Sequence, residues 1–96
     1  MDNNRIIQII PCVKPLISVY DITGDSDHYW FSWIYHIGLT EDGSIVPIDI
    51  FDGCLVNAED VRNFCGVYYG LDYVENEDMR EQMKRWLETE EKNNAN

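Results

Sequence analysis

Cations are scarce in this chain. Seven lysines and arginines stand against 18 aspartates and glutamates, a formal net charge of −11. Between Lys14 and Arg62 there is no Lys or Arg, while that interval holds nine acids. Binding to nucleic acid through its phosphates needs clustered cations, so the composition argues against it. It argues against an anionic membrane surface for the same reason. Cysteine is sparse too: Cys12, Cys54 and Cys65 are an odd set with no CxxC spacing. No apolar run is long enough to span a bilayer. No glycine-rich phosphate loop occurs; Gly66 and Gly70 stand among aromatics, not before a helix. Met1-Asp2-Asn3-Asn4 lacks the charged and apolar regions of a signal peptide. The expectation is a protein of a reducing cytoplasm, with free thiols and no cofactor or metal.

Aromatics are plentiful, with three Trp, six Tyr and three Phe in 96 residues. Each can bury a large area, which helps a chain of single-domain size hold a thin core. One domain is expected over residues 1–92, with 93–96 a disordered tail and Met1 to Asn4 a frayed end.

The stretch from Tyr29 to Phe51 organises the rest. Tyr29, Phe31, Trp33, Tyr35, Ile37 and Leu39 fall on one parity, the strand period, and predict a core-facing stripe. Trp30 falls on the opposite face. Asp42-Gly43 predicts a two-residue type I′ turn. That turn sets Leu39 against Val46, Ile37 against Ile48 and Tyr35 against Ile50, with His36 facing Asp49. A slip by one residue would oppose Pro47 to Ile37 and Asp49 to Tyr35, so the first register is preferred. Pro47 also predicts a free edge or a bulge.

Upstream, Arg5 to Ile10 reads as a strand ended by Pro11, Cys12 to Pro15 as a connector, and Leu16 to Ile22 as a second strand. Thr23-Gly24-Asp25-Ser26-Asp27 is turn chemistry. Ile17/Val19 and Tyr20/Ile22 are alternative core sets for the second strand. Downstream, Asp52-Gly53 predicts a turn. Asn57 predicts the cap of a short helix, Ala58 to Cys65, closed by Gly66. Val67 to Tyr69 reads as a short strand or an extended lead. Asn76 caps a long helix from Glu77 to about Glu91, with Met79, Met83, Trp86 and Leu87 at the spacing of a buried stripe. Glu81–Arg85 and Glu88–Lys92 are favourable helical pairs. The fold class is α+β: an antiparallel sheet of three to five strands, a short helix and a C-terminal amphipathic helix packed on one face.

Catalytic and metal chemistry are weakly signalled. His36 opposite Asp49 would be a dyad, but Ser32 lies roughly 13 Å along the strand, beyond hydrogen-bond reach. A cross-strand polar pair is the simpler reading. The cysteines and histidines include zinc-ligand types without ligand spacing, and read as small apolar fillers. Asp21, Asp25 and Asp27 do not follow the order of a calcium loop.

Ile9-Ile10-Pro11, Val19-Tyr20, the aromatic strand, Leu39-Thr40-Glu41-Asp42-Gly43, Val46-Pro47-Ile48 and Asn63-Phe64-Cys65-Gly66 together resemble a loose family of small uncharacterised proteins. These are carried by phages and mobile elements of Gram-positive bacteria. The resemblance covers about residues 6 to 70 and carries no activity or site residue with it. It implies a setting in which small acidic proteins inhibit host defence nucleases, anti-CRISPR proteins among them.

Charge and resemblance lead to one expectation: a non-enzymatic inhibitor that binds a basic, nucleic-acid-handling protein such as a CRISPR effector nuclease. Its carboxylates would stand in for phosphates in a basic groove. The residues expected at the interface are Asp21, Asp25, Asp27, Trp30, Glu41, Asp42, Asp49, Asp52, Glu59, Asp60, Glu77 and Glu81. Two alternatives remain. One is a small hydrolase or ligand-binding enzyme using His36 with Asp49 or a reactive cysteine. The other is a structural accessory domain that homodimerises through the edge near Pro47.

Overall fold

The computed structural model describes residues 5–24 and 28–94. Five strands form one antiparallel sheet: β1 (Ile6–Asp21), β2 (Tyr29–Thr40), β3 (Ile45–Phe51), β4 (Cys54–Asn57) and β5 (Phe64–Tyr68), in the order β4-β3-β2-β1-β5. Among the described residues one α-helix, α1 (Glu77–Asn94), lies on one face, with 3-10 turns at Ala58–Asp60 and Leu71–Tyr73. The α+β class is as expected.

The N-terminal segment departs from expectation. No connector separates two strands; β1 runs unbroken for 16 residues. Pro11 and Pro15 fall where its register against β2 shifts, between Pro11/Leu16. A bulge absorbs the missing N–H groups, so the strand bends without ending. A second shift lies between Ile6 and Gln8. The two candidate core sets turn out to serve opposite faces. Ile17 and Val19 pack under α1, while Tyr20 joins Ile34 and Ala58 on the other side. Ile22 is exposed.

The β2–β3 register is the one-residue slip that the apolar pairing argument had rejected. Leu39 faces Ile45, Ile37 faces Pro47 and His36 faces Ile48. The loop holds three residues, closed by Thr40 N–H donating to Ser44 O at 2.9 Å and Gly43 N–H to Thr40 O at 3.0 Å. Gly43 has φ +88°, as a bulged three-residue hairpin requires, whereas Asp42 does not have positive φ. Side chains favour this loop: Asp42 accepts from the Thr40 hydroxyl, and from Ser44 N–H at 3.0 Å. Hydrogen-bonded pairs alternate along the ladder, so Pro47 sits where no N–H is needed toward β2. The slip carries Val46 and Ile48 to the face away from the helix and leaves Ile45 and Ile50 exposed. The type I′ turn expected at 42–43 occurs instead at Asp52 (φ 52°) and Gly53 (φ 79°), between the paired residues Phe51 and Cys54.

The short helix after Asn57 is one 3-10 turn, Ala58–Asp60, not eight residues. Asn57 caps it as expected, its side chain accepting from Glu59 N–H at 2.9 Å. The chain then turns into β5, because Phe64 to Tyr68 pair with Tyr20 to Ile17 and complete the edge of β1. Gly66 therefore lies within a strand.

The long helix is where its periodicity placed it. Asn76 accepts from Met79 N–H at 3.0 Å, and the Arg80 guanidinium donates to Val74 O at 2.9 and 2.7 Å. Met79 and Met83 are buried, with Trp86 and Leu87 packed beside them. Asn93 and Asn94 belong to α1 rather than to a tail, while residues 1–4 and 95–96 lie outside the described residues. Neither Glu81–Arg85 nor Glu88–Lys92 closes to an ion pair among the described residues. The helix covers only the first half of β2. Tyr29 and Phe31 are buried beneath it, while Tyr35 is exposed and Ile37 and Leu39 are half-buried.

Met83 is fully enclosed between α1 and the sheet. Met83→Ala should lower unfolding stability by about 3 kcal/mol. A denaturant titration with unchanged slope would check it.

Candidate functional site

The sheet splits along its length. β3 pairs with β2 only from Leu39 to His36, and its remaining residues pair with β4. Tyr29 to Tyr35 of β2 therefore have β1 on one side and, among the described residues, no strand on the other. Asp49 spans the split. Its side chain accepts from Tyr20 OH (2.8 Å), Ser32 Oγ (2.9 Å), Ser18 Oγ (3.3 Å) and the N–H of Ile50 (2.8 Å). Three strands are thus held by one carboxylate. Asp49 is 4% exposed, and no cation pairs with it among the described residues. Four donors replace the water it lost. Burial pushes the Tyr20 hydroxyl above the usual tyrosine range. The neighbouring Asp49 adds to the rise and the Ser18 hydrogen bond opposes it. Phe51 and Phe64 meet the Tyr20 ring edge-on at 5.7 and 6.0 Å.

Beside the clasp, a furrow follows the open side of β2. Two adjoining hollows of about 440 and 370 Å³ share Trp30, Phe31 and Trp86. The second reaches Trp33, Tyr35, His36, Asp49 and Ile50, with Glu90 at its rim; Arg85 lines the first. Trp86 of α1 anchors the wall, 5.6 Å from Phe31 and 5.0 Å from Trp33 between ring centroids. At the upper end Tyr29 N–H is already taken, donating to Gln82 Oε1 at 3.0 Å. Trp30, Tyr35 and Ile50 are each more than half exposed, at 55%, 53% and 56%.

The expected interface residues do not converge. Glu41 and Asp42 lie in the β2–β3 turn and Asp52 in the β3–β4 turn. Glu59 and Asp60 ride the 3-10 turn whose Ala58 packs on one face of the sheet, while Glu77 and Glu81 begin α1 on the other. Asp21 closes β1 and accepts from Gly24 N–H at 3.0 Å. Asp25 and Asp27 lie outside the described residues. Asp49 is buried and serves the clasp instead of a surface. Trp30 lies in the furrow as an exposed aromatic on the face away from α1's core, and of the expected acids among the described residues only the buried Asp49 borders it. Trp33, Tyr35 and Trp86, missed as site residues, join it there. The legible signal for Trp33 and Tyr35 was an aromatic strand too rich in large rings for one helix to cover.

His36 and Asp49 are not a pair. The register sets His36 against Ile48, and no hydrogen bond joins His36 to Asp49 or Ser32 among the described residues. Ser32 Oγ donates to Asp49, a carboxylate already engaged by three other donors, and no histidine hydrogen-bonds to it among the described residues. Cys54 and Cys65 are exposed and Cys12 half-buried, against the expectation of buried fillers. Desolvation pushes the Cys12 and Cys65 thiols up, away from the reactive thiolate. Among the described residues no three His, Cys, Asp or Glu side chains gather as a metal site, and no helix is long and apolar enough to cross a membrane.

No protein-family model, curated protein or solved structure matches this chain.

Two expectations follow. Asp49→Ala strands the Tyr20 and Ser32 hydroxyls, while Ser18 keeps Ser32 O as an acceptor at 3.3 Å, and should cost about 3 kcal/mol, lowering Tm by on the order of 12 °C or more. Asp49→Asn keeps an acceptor and should cost less; equal losses would show that the acceptor itself contributes nothing. Separately, hydrogen bonds from Thr40 first, then Ser44, hold the Asp42 carboxyl below its ordinary value of 3.8. The turn's contribution is therefore present above that value and lost as pH falls through the depressed pKa. Carboxyl NMR should show Asp42 titrating late, and Thr40→Val should return it toward the ordinary range.

Proposed function

We propose that this protein is a non-enzymatic binding module. It takes an extended, basic segment of a partner protein into the furrow beside β2. The observation that carries this reading is the unpaired side of β2 between Tyr29 and Tyr35, walled by exposed rings. A strand laid there would find backbone groups to pair with and aromatic surfaces on either side. Trp30 and Tyr35 are residue types that dominate binding energy when a partner desolvates them. The charge of −11 favours a cationic partner and speeds its encounter through long-range attraction. Glu90 at the rim provides a local acid for a lysine or arginine of the partner.

The biological role we propose is inhibition of a basic nucleic-acid-handling protein, a CRISPR effector nuclease being the foremost case. The support for that step is the charge and the resemblance to small proteins of phages and mobile elements. The acids on the turns and on α1 would add attraction over a broad surface, with the furrow giving the specific contact.

Titration with a Lys/Arg-alternating strand peptide, followed by tryptophan fluorescence, tests the binding step. Binding should weaken steeply between about 50 and 500 mM salt. Trp30→Ala should weaken it on the order of tenfold or more while leaving Tm unchanged. An acid-substituted peptide that binds equally well, or an affinity indifferent to salt, would end this reading. Failure to slow cleavage by any basic effector nuclease, with peptide binding intact, would remove only the inhibitor step.

A further inference from the structure

We propose that a hollow on the face away from α1, walled by Tyr20, Trp30 and Phe51, takes a trimethylammonium group, as carried by choline or by trimethylated lysine. The hollow is about 360 Å³ and is completed by Ile22, Val61 and Asn63. The strand pairing brings its rings together. Tyr20 of β1 is paired with Trp30 of β2, so both side chains leave the sheet on the same face. Phe51, the last residue of β3, meets Tyr20 at 5.7 Å between ring centroids with the planes 74° apart. Two rings at that angle make a corner and not a stack. Trp30 is the exposed wall, while Tyr20 is buried at the base. The site goes beyond the furrow reading. It shares Trp30 and Ile22 with the furrow's first hollow, but Tyr20, Phe51, Val61 and Asn63 line neither furrow hollow.

The chemistry of the occupant follows from what surrounds the rings. Ring faces carry negative charge density and attract a cation within about 6 Å of their centroids. Behind the Tyr20 ring lies Asp49, a buried carboxylate to which Tyr20 OH donates at 2.8 Å and which no cation pairs among the described residues. A cation against the ring is drawn by that charge through an interior that weakens it little. A hydrocarbon in the same place gains nothing from it. The net charge of −11 acts in the same sense. Asp21 and Asp52 adjoin lining residues in the chain, against one cation, the exposed Arg62. Hydrogen bonding then selects among cations. An ammonium or guanidinium carries N–H groups that need acceptors once out of water. The lining has few to give: the Tyr20 hydroxyl is turned to Asp49, and Asn63 O already accepts from Asp21 N–H at 2.8 Å and from Cys65 Sγ at 3.6 Å. A trimethylammonium group has no N–H to satisfy and meets the rings through its methyl groups.

Ligand-observed NMR tests the site with choline, acetyl-trimethyllysine amide, acetyl-lysine amide and the uncharged tert-butyl isostere of choline. Either trimethylated cation should bind saturably at roughly millimolar concentration, its methyl protons shifted upfield by the rings. Binding of either supports the site, and the tighter of the two tells a free or lipid-borne choline from a modified protein. The isostere and the unmethylated lysine should each bind on the order of tenfold more weakly. Trp30→Leu keeps an apolar wall but removes the ring, and should weaken choline on the order of tenfold with Tm unchanged. Asn63→Arg fixes a cation at the mouth and should abolish choline binding while leaving the strand peptide bound in the furrow. Failure of the peptide alone therefore ends the furrow reading, and failure of choline and trimethyllysine alone ends this one. An isostere or an unmethylated lysine that binds equally well, or choline binding indifferent to Trp30→Leu or to Asn63→Arg, would also overturn the proposal.

Discussion

A single buried carboxylate holds the sheet together where its ladder fails. β3 leaves β2 after His36, and from there backbone pairing no longer joins the two. Asp49 supplies the join through hydroxyls of β1 and β2 and through the N–H of Ile50. It is a costly solution, because a charge is withdrawn from water without a cation beside it. The donors are two serine hydroxyls, the hydroxyl of a Tyr20 ring wedged between Phe51 and Phe64, and a backbone N–H, so they position the carboxylate tightly. The face away from the helix owes its shape to this arrangement. Tyr20 is fixed between Asp49, Phe51 and Phe64, and Ile34 and Ala58 close over it.

The elements with strong local signals were legible. Asn76 and the Met79/Met83/Trp86/Leu87 spacing marked α1, and the aromatic parity marked β2. Asn57 marked a cap correctly but overstated the helix after it, since pairing with β1 claimed Phe64 to Tyr68. The register of β2 and β3 was misjudged for a physical reason. Matching apolar residues across the hairpin ignored the loop's own hydrogen bonds and the needs of Pro47 and Asp49. Asp-Gly occurs twice, and the rule for two-residue turns applies at Asp52-Gly53, where the strands are short, and not at Asp42-Gly43. Prolines at 11 and 15 suggested interruption where a bulge sufficed. The split in the sheet had no local signature at all. It arises from β3 choosing β4 over β2, a competition between distant segments.

Charge was legible in amount and not in placement. A linear count showed an acid-rich interval, but folding sends Glu59 and Asp60 to one face, Glu77 and Glu81 to the other, and Asp49 inside. The acids are therefore spread over both faces of the sheet and not gathered on one. The furrow beside β2 and the uncharged edge of β1 break that uniformity. They lie on opposite flanks of the central β1–β2 pair.

The brevity of the β2–β3 ladder has a mechanical corollary. β1, β2, β5 and α1 form one block, tied by a long ladder and a shared apolar layer. β3, β4 and the turn after Asn57 form a second block, hinged at the 41–43 loop and latched at Asp49. The second block is held to the first by that latch, a few rungs and the small apolar cluster of Tyr20, Ile34 and Ala58, a thinner set of ties than the first block has within itself, so local opening should expose its amide protons to exchange first. The molecule thus has a built-in order of unravelling, starting from the hairpin tip at Asp52-Gly53 and ending at Ile17 and Val19.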